Sequence, residues 1–203
     1  MESIDDRIIS RIYGHQRGWI FSKNDFLDIA GDAATRKALS RLEQKGTIRR
    51  VLRGVYDYPR ISTLFNEAMG PDMDELASAL ARKSGWRIQP SKNTALNVLE
   101  LSTQVPAQSV YLSDGPSKTY EVGNRQLLFK KRSLKESGYK HCESELVVQA
   151  LKALGKERID DKVYQRLSKK WTPTFWQKIL RDTKTAPAWV CDVIRHITKE
   201  AAR

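Results

Sequence analysis

Isoleucines at positions 4, 8, 9 and 12 recur at helical spacing, with Ser3 in front of them and Gly14 behind. A serine before such a run caps a helix, and Asp5 and Asp6 suit its positive end, so a first helix is predicted over IDDRIISRIYG. GWIFS follows as a short strand-like piece. Ser22 is then placed to cap a second short helix, KNDFLDIA, with Phe26, Leu27 and Ile29 facing inward. Gly31-Asp32 makes a turn, and Asp32 is expected to cap a third helix from Ala33 to Lys45, stopped by Gly46. Ala38, Leu39 and Leu42 share one stripe of that helix, the side that packs on the first two. A hairpin comes next, Thr47–Leu52 and Val55–Tyr58 around a tip at Arg53-Gly54. Helix, turn, helix and hairpin in this order predict a winged helix-turn-helix.

Beyond it the pattern changes. RISTLFNEAM, bracketed by Pro59 and Gly70-Pro71, is too apolar for a free linker, and a short packed helix is expected there. Met73–Ser84 carries Leu76 and Leu80 on one helical face, WRIQ has strand character, and Asn93–Leu101 reads as a helix. SVYLS, KTYEV and RQLLFKKR alternate as strands, the last two joined by the two-residue turn Gly123-Asn124. From Glu143 onward helical stretches are separated by Asp160-Asp161, Pro173 and Pro187. The expected fold class is α+β, in two domains. Residues 1–60 form the winged helix-turn-helix, and 61–203 a second domain, mixed helix and antiparallel strand to about 142 and helical over 143–203.

Charge sharpens this picture. The 203 residues carry a net charge of +12, with a pI near 9.8, which points to a polyanionic partner. Residues 1–60 hold 12 Lys/Arg against 8 Asp/Glu, residues 61–112 hold 4 against 5, and residues 144–203 hold 13 against 7. The positive charge therefore sits at both ends, and two separate basic surfaces are expected. No apolar run is long enough to span a bilayer, and no charged segment precedes an apolar one at the start, so a cytoplasmic protein with no membrane partner is expected.

On the third helix Arg36, Lys37, Ser40 and Arg41 lie mostly opposite the apolar stripe, with Thr35 beside them at the N-terminal end. In a helix-turn-helix that end lies nearest the bases. Arginine bonds guanine through two donors, while Thr, Ser and Lys more often hold the backbone. In the hairpin Arg49, Arg50 and Arg53 are the candidate contacts. Arg50 has the same parity as Ile48 and Leu52, so a structural job is expected of it, and one of these arginines is expected to pair with Asp57 or cover apolar surface. Arg53, at the protruding tip, is the expected phosphate or minor-groove contact.

The stretch RKALSRLEQKGTIRRVLRGVYDYP resembles the end of the winged-helix domain of AbiEi-type antitoxins, the transcriptional regulators of type IV toxin–antitoxin systems. The likeness covers residues 1–60, and a fainter one runs through SKNTALNVLELSTQVPAQSVYLSDGPSKTYEVGNRQLLFKK. The resemblance implies an antitoxin that binds double-stranded operator DNA, represses its own operon and antagonises a cognate nucleotidyltransferase-like toxin without a stable complex. It implies DNA-binding roles for Arg36, Lys37, Ser40, Arg41, Arg49, Arg50 and Arg53. A second reading is a non-enzymatic interaction module whose basic C-terminal domain binds a toxin or RNA directly.

Other chemistry is weak. His15, His141 and His196 have no metal-ligand spacing, Cys142 and Cys191 lie 49 positions apart, and SDGPSK lacks the glycine spacing of a phosphate loop. No cofactor, no metal and no enzymatic activity are expected. Trp171, Trp176 and Trp189 stand among lysines, where they could stack on RNA or fill a helical core; the core is the commoner fate.

Overall fold

The computed structural model describes residues 3–102, 107–132 and 139–202. The fold is α+β, with eight helices and two sheets among the described residues. The chain divides into two compact units, one ending at Trp86 and the other beginning at Arg87. Positions 103–106, within the second stretch of family likeness, lie outside the described residues.

In the first unit, α1 (Ile4–Gly14) begins as its residues dictate. The Ser3 hydroxyl accepts from the Asp6 N–H, and the Asp6 carboxylate answers by accepting from the Ser3 N–H. Strand β1 (Ile20–Phe21) leads into a 3₁₀ turn at Lys23–Phe26, capped reciprocally by Ser22 and Asp25. The second helix expected over KNDFLDIA is only this turn. Arg11 donates to the Asp25 carbonyl at 2.9 Å, and Ile29 N–H bonds the Phe26 carbonyl instead of continuing an α-helical ladder. Phe26 is buried as expected, whereas Leu27 is 47 % exposed because the broken ladder turns it outward.

Helix α2 (Asp32–Gln44) buries Ala38, Leu39 and Leu42. Its N-cap is Gly31, not the expected Asp32, which is the first helical residue. The hairpin β2 (Arg49–Leu52) and β3 (Val55–Asp57) turns at Arg53-Gly54, where Gly54 adopts φ of 70°, a conformation that glycine reaches without strain. β3 pairs antiparallel with both β2 and β1, giving a three-stranded sheet of order β1-β3-β2. Ile8, Ile12, Phe21, Phe26, Leu39, Leu42 and Ile48 form one buried cluster under it. The element order is that expected of a winged helix-turn-helix.

Helix α3 (Met73–Ser84) belongs to this unit, which therefore extends well past residue 60, where the sequence suggested a boundary. It packs on β1, and Arg82 donates to the Ile20 carbonyl at 2.8 Å and to the Asp25 carboxylate at 3.1 Å. The segment RISTLFNEAM is not the expected packed helix. It is a loop closed by an Ile61–Ala68 bridge, with Ser62 N–H bonded to Glu67 and Met69 N–H to Arg60. Leu64 and Phe65 stand out from it, 87 % and 74 % exposed. Ten residues bounded by a proline and Gly-Pro close on themselves before a helix can bury an apolar face.

The second unit has a four-stranded sheet of order β4-β5-β7-β6, built from β4 (Ile88–Pro90), β5 (Gln108–Ser113), β6 (Lys118–Val122) and β7 (Arg125–Lys131). The Gly123-Asn124 hairpin joins β6 to β7 as expected, but β5 runs parallel to β7, so the expectation of antiparallel strands throughout is corrected: the long connection from β5 through β6 brings β7 back in the direction of β5. Helices α4 (Lys92–Val98), α5 (Cys142–Leu154), α6 (Asp161–Ser168), α7 (Pro173–Asp182) and α8 (Ala188–Glu200) enclose the other core. Trp176 is fully buried there, and Trp171 and Trp189 pack against the same cluster, so these rings serve the core.

Candidate nucleic-acid interface

The residues proposed from sequence separate by what they touch. Thr35 is fully buried and its hydroxyl donates to the Ala30 carbonyl at 3.0 Å, anchoring the start of α2; it is not at the surface to contact anything. Its register explains this, because Thr35 precedes Ala38, Leu39 and Leu42 by 3, 4 and 7 residues and so shares their face. Arg41 is tied to α1 by two bonds to the Asp5 carboxylate, at 2.9 and 2.5 Å. The Asp5 carboxyl is held below the ordinary value chiefly by that Arg41 bond. A guanidinium used this way braces two helices and has fewer donors left for a ligand.

On the wing, Arg49 lies directly opposite Asp57 in the strand ladder and donates to it at 3.1 and 2.5 Å. A third bond reaches the Met69 carbonyl at 2.9 Å. Asp57 is only 2 % exposed, so Arg49 is the counter-charge of a buried carboxylate. The structural arginine is therefore Arg49, and the expectation that Arg50 fills that role is corrected. Ile48 precedes the strand and an irregularity follows Arg50, so parity with Ile48 and Leu52 does not carry through. Arg50 is exposed, and its side chain has no partner among the described residues.

Lys37, Ser40 and Arg53 are likewise exposed with unpartnered side chains. Arg36 is exposed too, and its guanidinium forms an ion pair with the Asp32 carboxylate one turn earlier, N to O 2.8 Å. The other Asp32 oxygen takes a bond from Lys23, which with Arg36 holds the Asp32 carboxyl below its ordinary value.

A run of contacts links the start of α2 to the wing tip. Arg36 forms an ion pair with Asp32, and Asp32 accepts from Lys23; the neighbouring Asn24 donates to the Lys83 carbonyl at 3.1 Å. The Lys83 ammonium in turn donates to the Arg53 carbonyl at 3.0 Å. The first turn of α2 and the tip of the hairpin are thus braced against one another through α3. Sequence reading missed Asp32, Lys23 and Lys83 in this role. The i, i+4 spacing of Asp32 and Arg36 was the available signal.

The second unit carries its own basic groove, about 370 Å³, lined by Lys140, Lys178, Arg181 and Lys184 around Asp182. Burial pushes the Asp182 carboxyl up, but the Lys140 and His141 backbone N–H groups hold it below the ordinary value. Asp182 is therefore committed to the start of α5, and the four cations have no side-chain partner among the described residues. Another groove, about 480 Å³, is lined by Lys162, Arg166, Lys169 and Lys170, with Glu100 bonded to both Arg166 and Lys170.

Residues 7–174 match the model of DUF6088, a family of unknown function. The chain belongs to the DUF6088 family. No curated protein matches it. The matched span begins within α1 and ends within α7, so it takes in both units of this DUF6088 member. No cluster of three or more His, Cys, Asp or Glu able to hold a metal occurs among its described residues, and no helix is long and apolar enough to cross a membrane. Its Cys142 thiol is pushed up by burial and by the hydrogen bond to Glu143, which opposes the thiolate form.

Proposed function

We propose that this DUF6088 chain is a non-enzymatic DNA-binding regulator whose α2 and wing read a specific duplex. The observation that supports this most directly is the bracing of Arg36, at the start of α2, against the wing tip at Arg53. A helix whose first turns present Arg36, Lys37 and Ser40, beside a hairpin presenting Arg50 and Arg53, suits base contact in the groove and phosphate contact at the tip. Following the resemblance to AbiEi-type antitoxins, the duplex is an operator near its own gene, and the regulated partner is a nucleotidyltransferase-like toxin in the cytoplasm. The test is a binding titration with a duplex enriched from a random-sequence library by the full chain. Combined alanine substitution of Arg36, Lys37 and Arg53 is expected to abolish preference for that duplex over a scrambled one. Unchanged preference in that variant would refute the assignment.

A second reading has a specific observation behind it. The unpartnered Lys140, Lys178, Arg181 and Lys184 would suit direct engagement of a toxin's acidic surface or RNA by the second unit. Co-purification with the toxin at high salt, lost on substituting these cations, would favour it.

A further inference from the structure

Asp32 is an odd residue to find at the start of a helix meant to approach DNA, because a carboxylate there repels phosphate. The helix does not need it as a cap, since Gly31 holds that position. It is also not buried; its side chain is 42 % exposed. What distinguishes it is its pair of partners. One oxygen receives the Arg36 guanidinium and the other the Lys23 ammonium from the preceding 3₁₀ turn. Lys23 adjoins Asn24, whose bond to Lys83 leads on to the wing tip. The carboxylate is thus clamped on one side by a braced segment and offers its other side to Arg36.

We propose that Asp32 is a positioning residue that sets the sequence preference of Arg36, an inference that rests on the DNA-binding reading above. An unrestrained arginine on an exposed helix sweeps many rotamers and settles on the nearest phosphate, which carries no sequence information. Pairing the guanidinium with Asp32 narrows the range of orientations open to its N–H donors. That is the requirement for paired bonds to guanine O6 and N7. The same negative charge penalises approach of Arg36 to the DNA backbone. Asp32 therefore gives up some general affinity and raises discrimination. As an exposed pair it adds little to stability.

This assigns opposite signs to two measurements. For D32N in the full chain, affinity for a scrambled duplex should rise about threefold, because one repulsive charge is gone. Preference for the library-enriched duplex over the scrambled one should fall about tenfold, as one guanine contact loses its geometry. In an R36A background, D32N should leave preference unchanged, since Asp32 acts only through Arg36. K23Q, which loosens the clamp but keeps the Asp32–Arg36 pair, should lose preference by a smaller factor than D32N. A thermal melt distinguishes folding from positioning. If D32N lowers both affinities together with the melting temperature, Asp32 is merely a helix-start acid and the proposal fails. If D32N still erodes preference in the R36A background, the action does not pass through Arg36, and the proposal also fails. A wild-type chain that shows no preference for any duplex would instead remove the DNA-binding reading itself.

Discussion

The two basic surfaces of this molecule are built differently. In the first unit half of the arginines are held by carboxylates: Arg11 by Asp28, Arg36 by Asp32, Arg41 by Asp5, Arg49 by Asp57 and Arg82 by Asp25. In the second, Lys178 and Arg181 on α7 and Lys184 just after it are exposed and unpaired among the described residues, around an aspartate already occupied by backbone N–H groups. Net charge alone treats the two as alike. Tethered arginines are fixed donors that can discriminate, whereas free lysines supply diffuse attraction that salt screens. The difference suggests a division of labour, with selectivity in the first unit and general affinity for polyanions in the second.

The largest effect that would sharpen this contrast is on stability. Arg49→Ala strips the counter-charge from a carboxylate that is almost wholly buried, and should cost about 2–3 kcal/mol, discounted from a fully buried pair because Arg49 is itself partly exposed. Arg50→Ala, one residue along, should fall within about 0.5 kcal/mol. Urea melts of the two variants compare them directly, and equal losses would break the distinction between tethered and free cations. A smaller effect concerns binding. Replacing Lys178, Arg181 and Lys184 with Ala should leave duplex preference unchanged while flattening the salt dependence, by about 0.9 in log–log slope for each phosphate contact removed. Loss of preference in that variant would place selectivity in the wrong unit.

The smallest expected effect is on titration. The Arg11 bond holds the Asp28 carboxyl at about 2, against an ordinary value of 3.8. A depressed carboxyl favours the folded state above its ordinary value, and that contribution fades as pH falls from about 4 toward 2. In Arg11→Met the Asp28 resonance, followed by NMR, should titrate back near the ordinary value. An unmoved midpoint would show that Arg11 is not its cause.

How much of this was legible beforehand depended on how local each signal was. Ser3, Ser22, Gly54 and Gly123-Asn124 act on their immediate neighbours, and the first helix, the 3₁₀ cap, the wing turn and the second hairpin all follow from them. The length of the second helix was not legible, because it is cut short by Arg11 reaching a carbonyl from 14 residues away. Thr35 was misplaced by treating the start of α2 as uniformly exposed, although helical spacing from Leu39 and Leu42 already put it inside. The exchange of roles between Arg49 and Arg50 depended on a strand irregularity that alternation cannot anticipate. The partners of Arg36 and Arg53 come through Lys23, Asn24 and Lys83, which are brought together only by the fold.

Helix α3 has a practical consequence for anyone who divides this chain. A cut at residue 60 would remove Arg82 from the Ile20 carbonyl and the Asp25 carboxylate, and Lys83 from the wing tip. The left-handed Gly85 that closes α3, and Trp86 behind it, mark the natural seam. A graft or reporter fusion joined there keeps these braces, while one joined at the proline after the hairpin leaves the wing its pairing with β1 but not its contacts to Met69 and Lys83.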